Sequence, residues 1–448
     1  MNRVLQAHVA AARRAAVVAL LAALTSSCEK GDAPLVGPRG REAFTHFVSI
    51  GTGISMGVQS AGVVYSSQAQ AWPAQLSNAV GGSFAAPLLR TPGCFPPLIA
   101  PLARARFLSG NPSAVSDSVA GSVVAGDSTC SGTLGPFTPP LNNVAIAGAT
   151  AGAALNLTPK LVAAAVAKYD SSTRALYPVV LASTQSQVTA MLVQGPSFVS
   201  VELGFAELLP AAISGRLAPA TSYTQIGFTY VPAPIFAPVF SAIADSVKRS
   251  RAGAVLLSVP HVTRLASMRP AAELWAARDE LAAFGVTVSP DCNGSANLIV
   301  AGAVVPLRAA LALASITPRM PRKSQLLSCA DIPGASDYVL TPSDVALLDG
   351  ITEQMNAQIR QVAEKNGWAF ADLDAVYAGF VAGRVPYRAS EQLNCVYPYG
   401  RFMSLDGVHP NVLGHQAIAN AVALAVNAKY GSSIPVIQPS GTPASICS

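Results

Sequence analysis

The sequence predicts an α/β domain built on a parallel sheet. Three observations carry that expectation. Short apolar runs alternate along the chain with stretches of helical period, the pattern of strand–helix–strand units. The apolar runs close on glycine or proline, where a strand gives way to a turn. And 448 residues, 51% hydrophobic and only 12% charged, can fill a sizeable core, which argues against general disorder.

The elements follow in order. Residues 46–50 read as a buried first strand ending at Gly51, and residues 51–57 as a tight turn. A helix is expected over 70–80, where Trp72, Leu76 and Val80 recur at every fourth position. Residues 81–141 are rich in glycine, proline and serine and hold two cysteines, so they read as a long, disulfide-held loop region. Residues 143–147 form a second strand closed by Gly148, and residues 197–203 a third closed by Gly204. Phe240, Ile243 and Val247 mark one face of a helix before Arg249 and Arg251, and a fourth strand over 254–259 ends at Pro260.

Residues 266–340 interrupt the pattern with a loose, proline- and cysteine-containing segment, read as an insertion over or beside the site. Thr341-Pro342-Ser343-Asp344 is a helix start: Thr caps, Pro suits the first turn, and Asp lies three residues on. Leu347, Leu348, Ile351, Met355, Ile359 and Val362 keep helical period up to a natural stop at Asn366-Gly367. Residues 368–373 are the fifth strand and 415–430 the final helix. Parallel sheets collect ligands beyond their carboxyl ends. Gly51, Gly148, Gly204 and the segment after Leu373 therefore mark where a site is expected.

The amino terminus reads as a targeting segment. Arg13 and Arg14 precede an apolar run over 15–24, too short to span a bilayer. Thr25-Ser26-Ser27-Cys28 then resembles a lipobox, which implies cleavage before Cys28 and lipidation of its sulfur. Residues 1–28 are thus expected to be a lipoprotein signal, 29–42 a tether, 43–432 the main domain and 433–448 a tail. The expected location is the cell envelope, exported and lipid-anchored, with membrane contact through the anchor alone. The net charge of +6 is diffuse, with no basic stripe interleaved with aromatics, so no nucleic-acid partner is expected.

Cys94, Cys130, Cys292, Cys329, Cys395 and Cys447 remain after Cys28, a set that suits three disulfides in an exported chain. Neighbours in sequence suggest Cys94–Cys130, Cys292–Cys329 and Cys395–Cys447, among about 15 connectivities. No C-x-x-C pair stands at metal spacing from histidines, so no zinc site is expected.

The sharpest chemical signal is Ser404-Leu405-Asp406-Gly407-Val408-His409-Pro410. Aspartate three residues before histidine lets the carboxylate fold back on Nδ1–H, fixing the tautomer and stabilising the imidazolium formed when Nε2 takes a proton. Asp406-Gly407-Val408-His409-Pro410-Asn411, then Gly414-His415 and a helix ending at Asn427-Ala428-Lys429-Tyr430-Gly431, resembles the C-terminal block of SGNH/GDSL-type ester hydrolases. Phe47-Val48-Ser49-Ile50-Gly51-Thr52-Gly53-Ile54-Ser55-Met56-Gly57 resembles the family's first block. Asn143-Val144-Ala145-Ile146-Ala147-Gly148-Ala149 resembles its second, and Val201-Glu202-Leu203-Gly204-Phe205-Ala206-Glu207 its third. The blocks keep the family's order from position 47 to 410.

The resemblance implies a three-layer α/β/α fold with a flavodoxin-like central parallel sheet and Ser-His-Asp hydrolysis of carboxylic esters, without metal or organic cofactor. It matches the family's Asp and His to Asp406 and His409, its oxyanion glycine to Gly148 and its third-block glycine to Gly204. The nucleophile serine falls on Gly53, the aspartate before it on Thr52, and the oxyanion-hole asparagine on Ala206. Without a hydroxyl at 53 no acyl-enzyme forms, and one lost oxyanion donor costs about 10²–10³ in rate.

Ser55, two residues on, is the candidate substitute nucleophile; the competing reading has it capping the helix or bonding its own backbone. Glu207 could serve as a base or as a solvated or hydrogen-bonded helix-start carboxylate. His261 could line the pocket or be structural, and His46 and His415 carry little chemical weight. Three functions compete: an ester hydrolase with an unorthodox nucleophile or a His409-activated water, acting on an ester or acyl small molecule; an inactive pseudo-hydrolase that binds an envelope ligand or a protein partner; or a purely structural envelope lipoprotein, which leaves the Asp406–His409 pair unexplained. The oligomeric state is not written in the sequence.

Overall fold

The computed structural model describes residues 44–438 apart from 95, 101, 103–105, 109–129, 138, 140, 167, 170, 301–324, 333–337, 383 and 385. The expected signal, Cys28, the tether, most of the tail and Cys447 lie outside the described residues.

Four strands form the central sheet: β1 (Phe47–Gly51), β2 (Phe198–Glu202), β3 (Gly253–Leu257) and β4 (Ala369–Ala371), side by side in that order and all parallel. Every residue of β1, β2 and β3 is buried. A parallel sheet covered on both faces needs such continuous apolar runs. The two buried serines in its middle satisfy each other, Ser200 Oγ bonding Ser49 Oγ at 3.0 Å.

The expected second strand lies along the free edge of β1 without forming a regular strand. Ser49 bridges Asn143, and the N–H groups of Val144 and Ile146 donate to the Ser49 and Gly51 carbonyls at 3.0 and 3.1 Å. Two asparagine amides divert the ladder: Asn142 Nδ2 donates to the Phe47 carbonyl, and Asn143 Oδ1 accepts from the Ala145 N–H. Such side-chain bonds compete with strand pairing. With this segment counted, the spatial order is second, first, third, fourth, fifth, the flavodoxin-like doubly wound order.

Eight helices matter for the site: α1 (Gly53–Met56), α2 (Trp72–Ala79), α3 (Ala151–Asn156), α4 (Gln187–Gln194), α5 (Ala233–Ser250), α6 (Pro342–Asn366), α7 (Leu373–Val381) and α8 (Val412–Tyr430). Helices α2, α7 and α8 pack as one layer, α8 against β4; α3, α4, α5 and α6 form the other, α6 against β3 and β4. The result is a three-layer α/β/α fold. Helix α6 starts and stops where its sequence says: Thr341 and Asp344 form a reciprocal capping box, and Gly367 closes it at φ 69°. Helix α8 begins three residues before the expected His415, because Asn411 caps it by accepting from the Leu413 and Gly414 N–H groups.

The described residues of the 266–340 segment include five short strands. Met268–Pro270, Leu298–Val300 and Val339–Leu340 make a small antiparallel sheet, and Val286–Val288 pairs in parallel with Gln325–Leu327. Strands of two or three residues carry too little period to be read from sequence. Disulfides join Cys94 to Cys130 and Cys292 to Cys329, as neighbouring cysteines suggested, and Cys395 is also disulfide-bonded.

Candidate active site

The turn after β1 is held from below by one carboxylate. Register sets Glu202, the last residue of β2, beside Gly51. Its Oε2 accepts from the Thr52 N–H at 2.9 Å, the Ser55 N–H at 3.2 Å and Ser55 Oγ at 3.0 Å, and Thr52 Oγ1 lies 2.8 Å from Oε1. Trp72 Nε1 donates to Ser55 Oγ at 3.2 Å. This close approach requires a glycine at 51, where a Cβ would meet Ser55 Oγ at 2.6 Å and Glu202 Oε2 at 3.0 Å. Burial pushes the Glu202 carboxyl up to about 7 against the opposing pull of the Thr52 and Ser55 donors.

Ser55 is therefore not placed to attack a substrate. It is fully buried, with its hydroxyl committed to Glu202 and Trp72. Gly53, not Ser55, faces the imidazole: a Cβ built on Gly53 would lie 3.1 Å from His409 Nε2 and 3.0 Å from Val58 Cγ2.

His409 is oriented from the other side. Its Nδ1 lies 2.8 Å from Asp406 Oδ2, which also accepts from the Ala61 N–H at 2.8 Å. Asp406 Oδ1 accepts from Ser404 Oγ and from the Val408 and His409 N–H groups, each at 2.9 Å. Burial alone would raise this carboxyl; the His409 ring and these donors hold it down at about 2. The turn at Ser60 and Ala61 has left-handed backbone (φ 55° and 61°), and Ser60 N–H bonds Ser404 Oγ at 2.8 Å. The imidazole retains 14% exposure, so Nε2 is reachable.

The remaining block residues gather around this pair. The Ile146 N–H bonds the Gly51 carbonyl at 3.1 Å, which ties the segment leading to Gly148 to the end of β1. Gly148, at φ 72°, faces open space, with nothing within 4 Å of a notional Cβ. Gly53 N–H, at the first position of α1, and Gly148 N–H have no protein acceptor among the described residues. Ala206 offers no side-chain donor. Beside it, the Phe205 ring stands edge-on to His409, with centroids 6.4 Å apart.

Glu207 is neither a solvated carboxylate nor one placed to touch a ligand. It is fully buried, caps α3 by accepting from the Ala151 N–H, and accepts from Tyr223 Oη at 3.1 Å. Burial pushes it up to about 7. His261 donates its backbone N–H to Asp374 Oδ1, and its Nδ1 lies 2.8 Å from the same oxygen, tying the end of β3 to α7. His415 is buried, and burial first, then the His409 charge, holds it down at about 3. Among the described residues, Asp291, Cys292 and Cys329 are the group at metal-ligand distances, but the two sulfurs are joined to each other.

Glu202 is the residue that sequence reasoning missed. The signal was present: a carboxylate ending an otherwise apolar buried strand demands several donors.

No family model matches the chain, and no curated protein does. Among solved structures it is similar to LAE5, an α/β hydrolase enzyme from the metagenome of Lake Arreo, Spain, at 11% identity, covering 85% of this chain and 94% of that one, with a TM-score of 0.33. The acetylxylan esterase Axe2 from Geobacillus stearothermophilus gives 11% identity, 85% and 93% coverage and a TM-score of 0.33. A GDSL-like lipase structure from Parabacteroides merdae gives 12%, 64%, 72% and 0.28. Likeness at these scores carries no weight for function, which rests on the chain's own geometry.

Proposed function

We propose that this protein is an SGNH/GDSL-type hydrolase-like lipoprotein whose site engages carboxylic ester or acyl groups without forming an acyl-enzyme. One observation carries the reading: Gly53 occupies the place against His409 Nε2 where a nucleophile belongs, while Ser55, two residues on, is bound to Glu202. The Asp406–His409 pair supplies an oriented base, and the Gly53 and Gly148 N–H groups supply donors for a carbonyl oxygen. The site keeps the parts that recognise an ester carbonyl and lacks the atom that attacks it.

The test is turnover of p-nitrophenyl acetate by purified full-length protein, alongside His409→Ala. Equal, background-level rates and no adduct with a fluorophosphonate are expected. Turnover that His409→Ala abolishes, without an adduct, overturns the inactive reading in favour of a His409-activated water. An adduct on any serine overturns the absence of a covalent route.

The same proposal sets the protein in the cell envelope, anchored through Cys28. The Thr25-Ser26-Ser27-Cys28 sequence and the disulfides support it, since structural disulfides suit oxidising compartments. Palmitate labelling lost in Cys28→Ala is the expected result; labelling that persists refutes the anchor.

A further inference from the structure

Outside the His409 site, a pocket of about 230 Å³ is lined by Arg269, Arg384 and Arg401 together with Tyr399, Phe380 and Phe402. Its charges do not balance. Arg269 and Arg384 share one carboxylate, Glu273, at 3.2 and 3.7 Å. Glu391, the carboxylate in the lining, is engaged 3.8 Å away by Arg388. Arg401 stacks over the Phe402 ring at 4.9 Å and has no ion pair among the described residues. Three guanidiniums thus line the recess beside one carboxylate, Glu391, which Arg388 also engages. Arg269 is buried, and burial first, then the neighbouring Arg269 charge, lowers the Arg384 guanidinium below its ordinary value. Positive charge concentrated in a partly dry recess favours a bound anion.

The walls limit what that anion is. Guanidinium forks match a carboxylate with paired hydrogen bonds. Phe380 and Phe402 stack at 5.1 Å and 23°, offering a flat apolar face beside the charges. The volume is below the roughly 300–1,000 Å³ of drug-sized sites, so the ligand is small. Tyr399 forms part of the lining and presses on Gly407, where a Cβ would lie 2.8 Å from its ring. The pocket is therefore behind the 404–409 loop, distinct from the face that His409 presents.

We propose that this pocket, built by Arg269, Arg384 and Arg401 beside the Phe380–Phe402 stack, binds a small organic carboxylate with a flat apolar body. The proposal is independent of any chemistry at His409.

Titration calorimetry of the full-length protein with benzoate tests it, with neutral benzamide and inorganic sulfate as controls. One saturable benzoate site is expected, with no benzamide binding and sulfate weaker than benzoate. Arg401 is exposed, so Arg401→Ala leaves the fold intact; it and Arg384→Ala should each weaken benzoate at least tenfold. Arg401→Lys should fall between, and His409→Ala should leave binding unchanged. Three results overturn the proposal: no saturable binding, binding that survives both arginine variants, or binding lost in His409→Ala. Sulfate binding as tightly as benzoate overturns the organic body.

Discussion

Gly53→Ser should convert the site into a His409-dependent esterase. Gly53 has φ outside the left-handed region, so serine is admissible there. Its Cβ would lie 3.1 Å from His409 Nε2, and a staggered rotamer then brings Oγ within the roughly 2.6–3.2 Å of a nucleophile–base hydrogen bond. Val58 Cγ2, 3.0 Å from that Cβ, and the imidazole, 3.1 Å from it, must each give by a few tenths of an ångström, which also opens the angle for the hydrogen bond. An off-rotamer shift of this kind costs about 1 kcal/mol. Once a hydroxyl stands against it, general-base catalysis by His409 contributes about 10²–10⁴ in rate. The missing donor at Ala206 keeps the absolute rate about 10²–10³ lower than a complete site. Hydrolysis of p-nitrophenyl acetate by Gly53→Ser should therefore exceed the parent by about 10²-fold or more. Adding His409→Ala should return it to background, and adding Ala206→Asn should raise it further. A Gly53→Ser protein that melts like the parent, yet neither hydrolyses the ester nor takes up a fluorophosphonate, refutes the assignment of position 53.

Three further outcomes follow from the packing. Glu202 has a folded value near 7 against an ordinary 4.5, so between those pH values the folded chain keeps a proton that the unfolded chain has released. Its contribution to stability is full below pH 4.5 and is lost as pH rises through 7, at about 1.4 kcal/mol per pH unit; urea unfolding of Glu202→Gln should show a shallower decline from pH 5 to 7, and a slope like the parent's refutes the burial argument. Gly204→Ala should destabilise by about 2–5 kcal/mol, because φ is 114° and the new Cβ would strike Val259 Cγ2 at 2.3 Å; an unchanged melting temperature counts against that geometry. Removing the Cys292–Cys329 bridge, which spans 37 residues, should cost about 4 kcal/mol by chain entropy; a Cys292→Ser/Cys329→Ser protein as stable as the parent in urea refutes that estimate.

What the sequence made legible is what depends on nearby residues. Asp406 and His409 are three apart, so a single turn brings carboxylate to imidazole. The caps of α6 are equally local, with Thr341 and Asp344 bonding each other across one helical turn. Glu202 was illegible because its donors, Thr52 and Ser55, lie about 150 residues away and meet it only through the β1–β2 register. For the same reason Ser55 looked available: nothing near it in sequence says that its hydroxyl is taken. The edge segment at 142–146 failed as a strand for a different reason, since Asn142 and Asn143 use their amides to bond the backbone. The short strands between 268 and 340 owe their shape to pairing between distant segments, which composition does not record.

The buried carboxylate under the β1 turn has an evolutionary consequence. Glu202 grips Thr52 and Ser55, the residues on either side of the reactive position, and leaves position 53 itself unused. The shape of the turn is thus inherited separately from the chemistry it displays. A lineage can discard or regain its attacking hydroxyl through one base change between glycine and serine codons, with little effect on whether the chain folds. The frame of the turn would be the same in a version of this chain with the hydroxyl and in one without it.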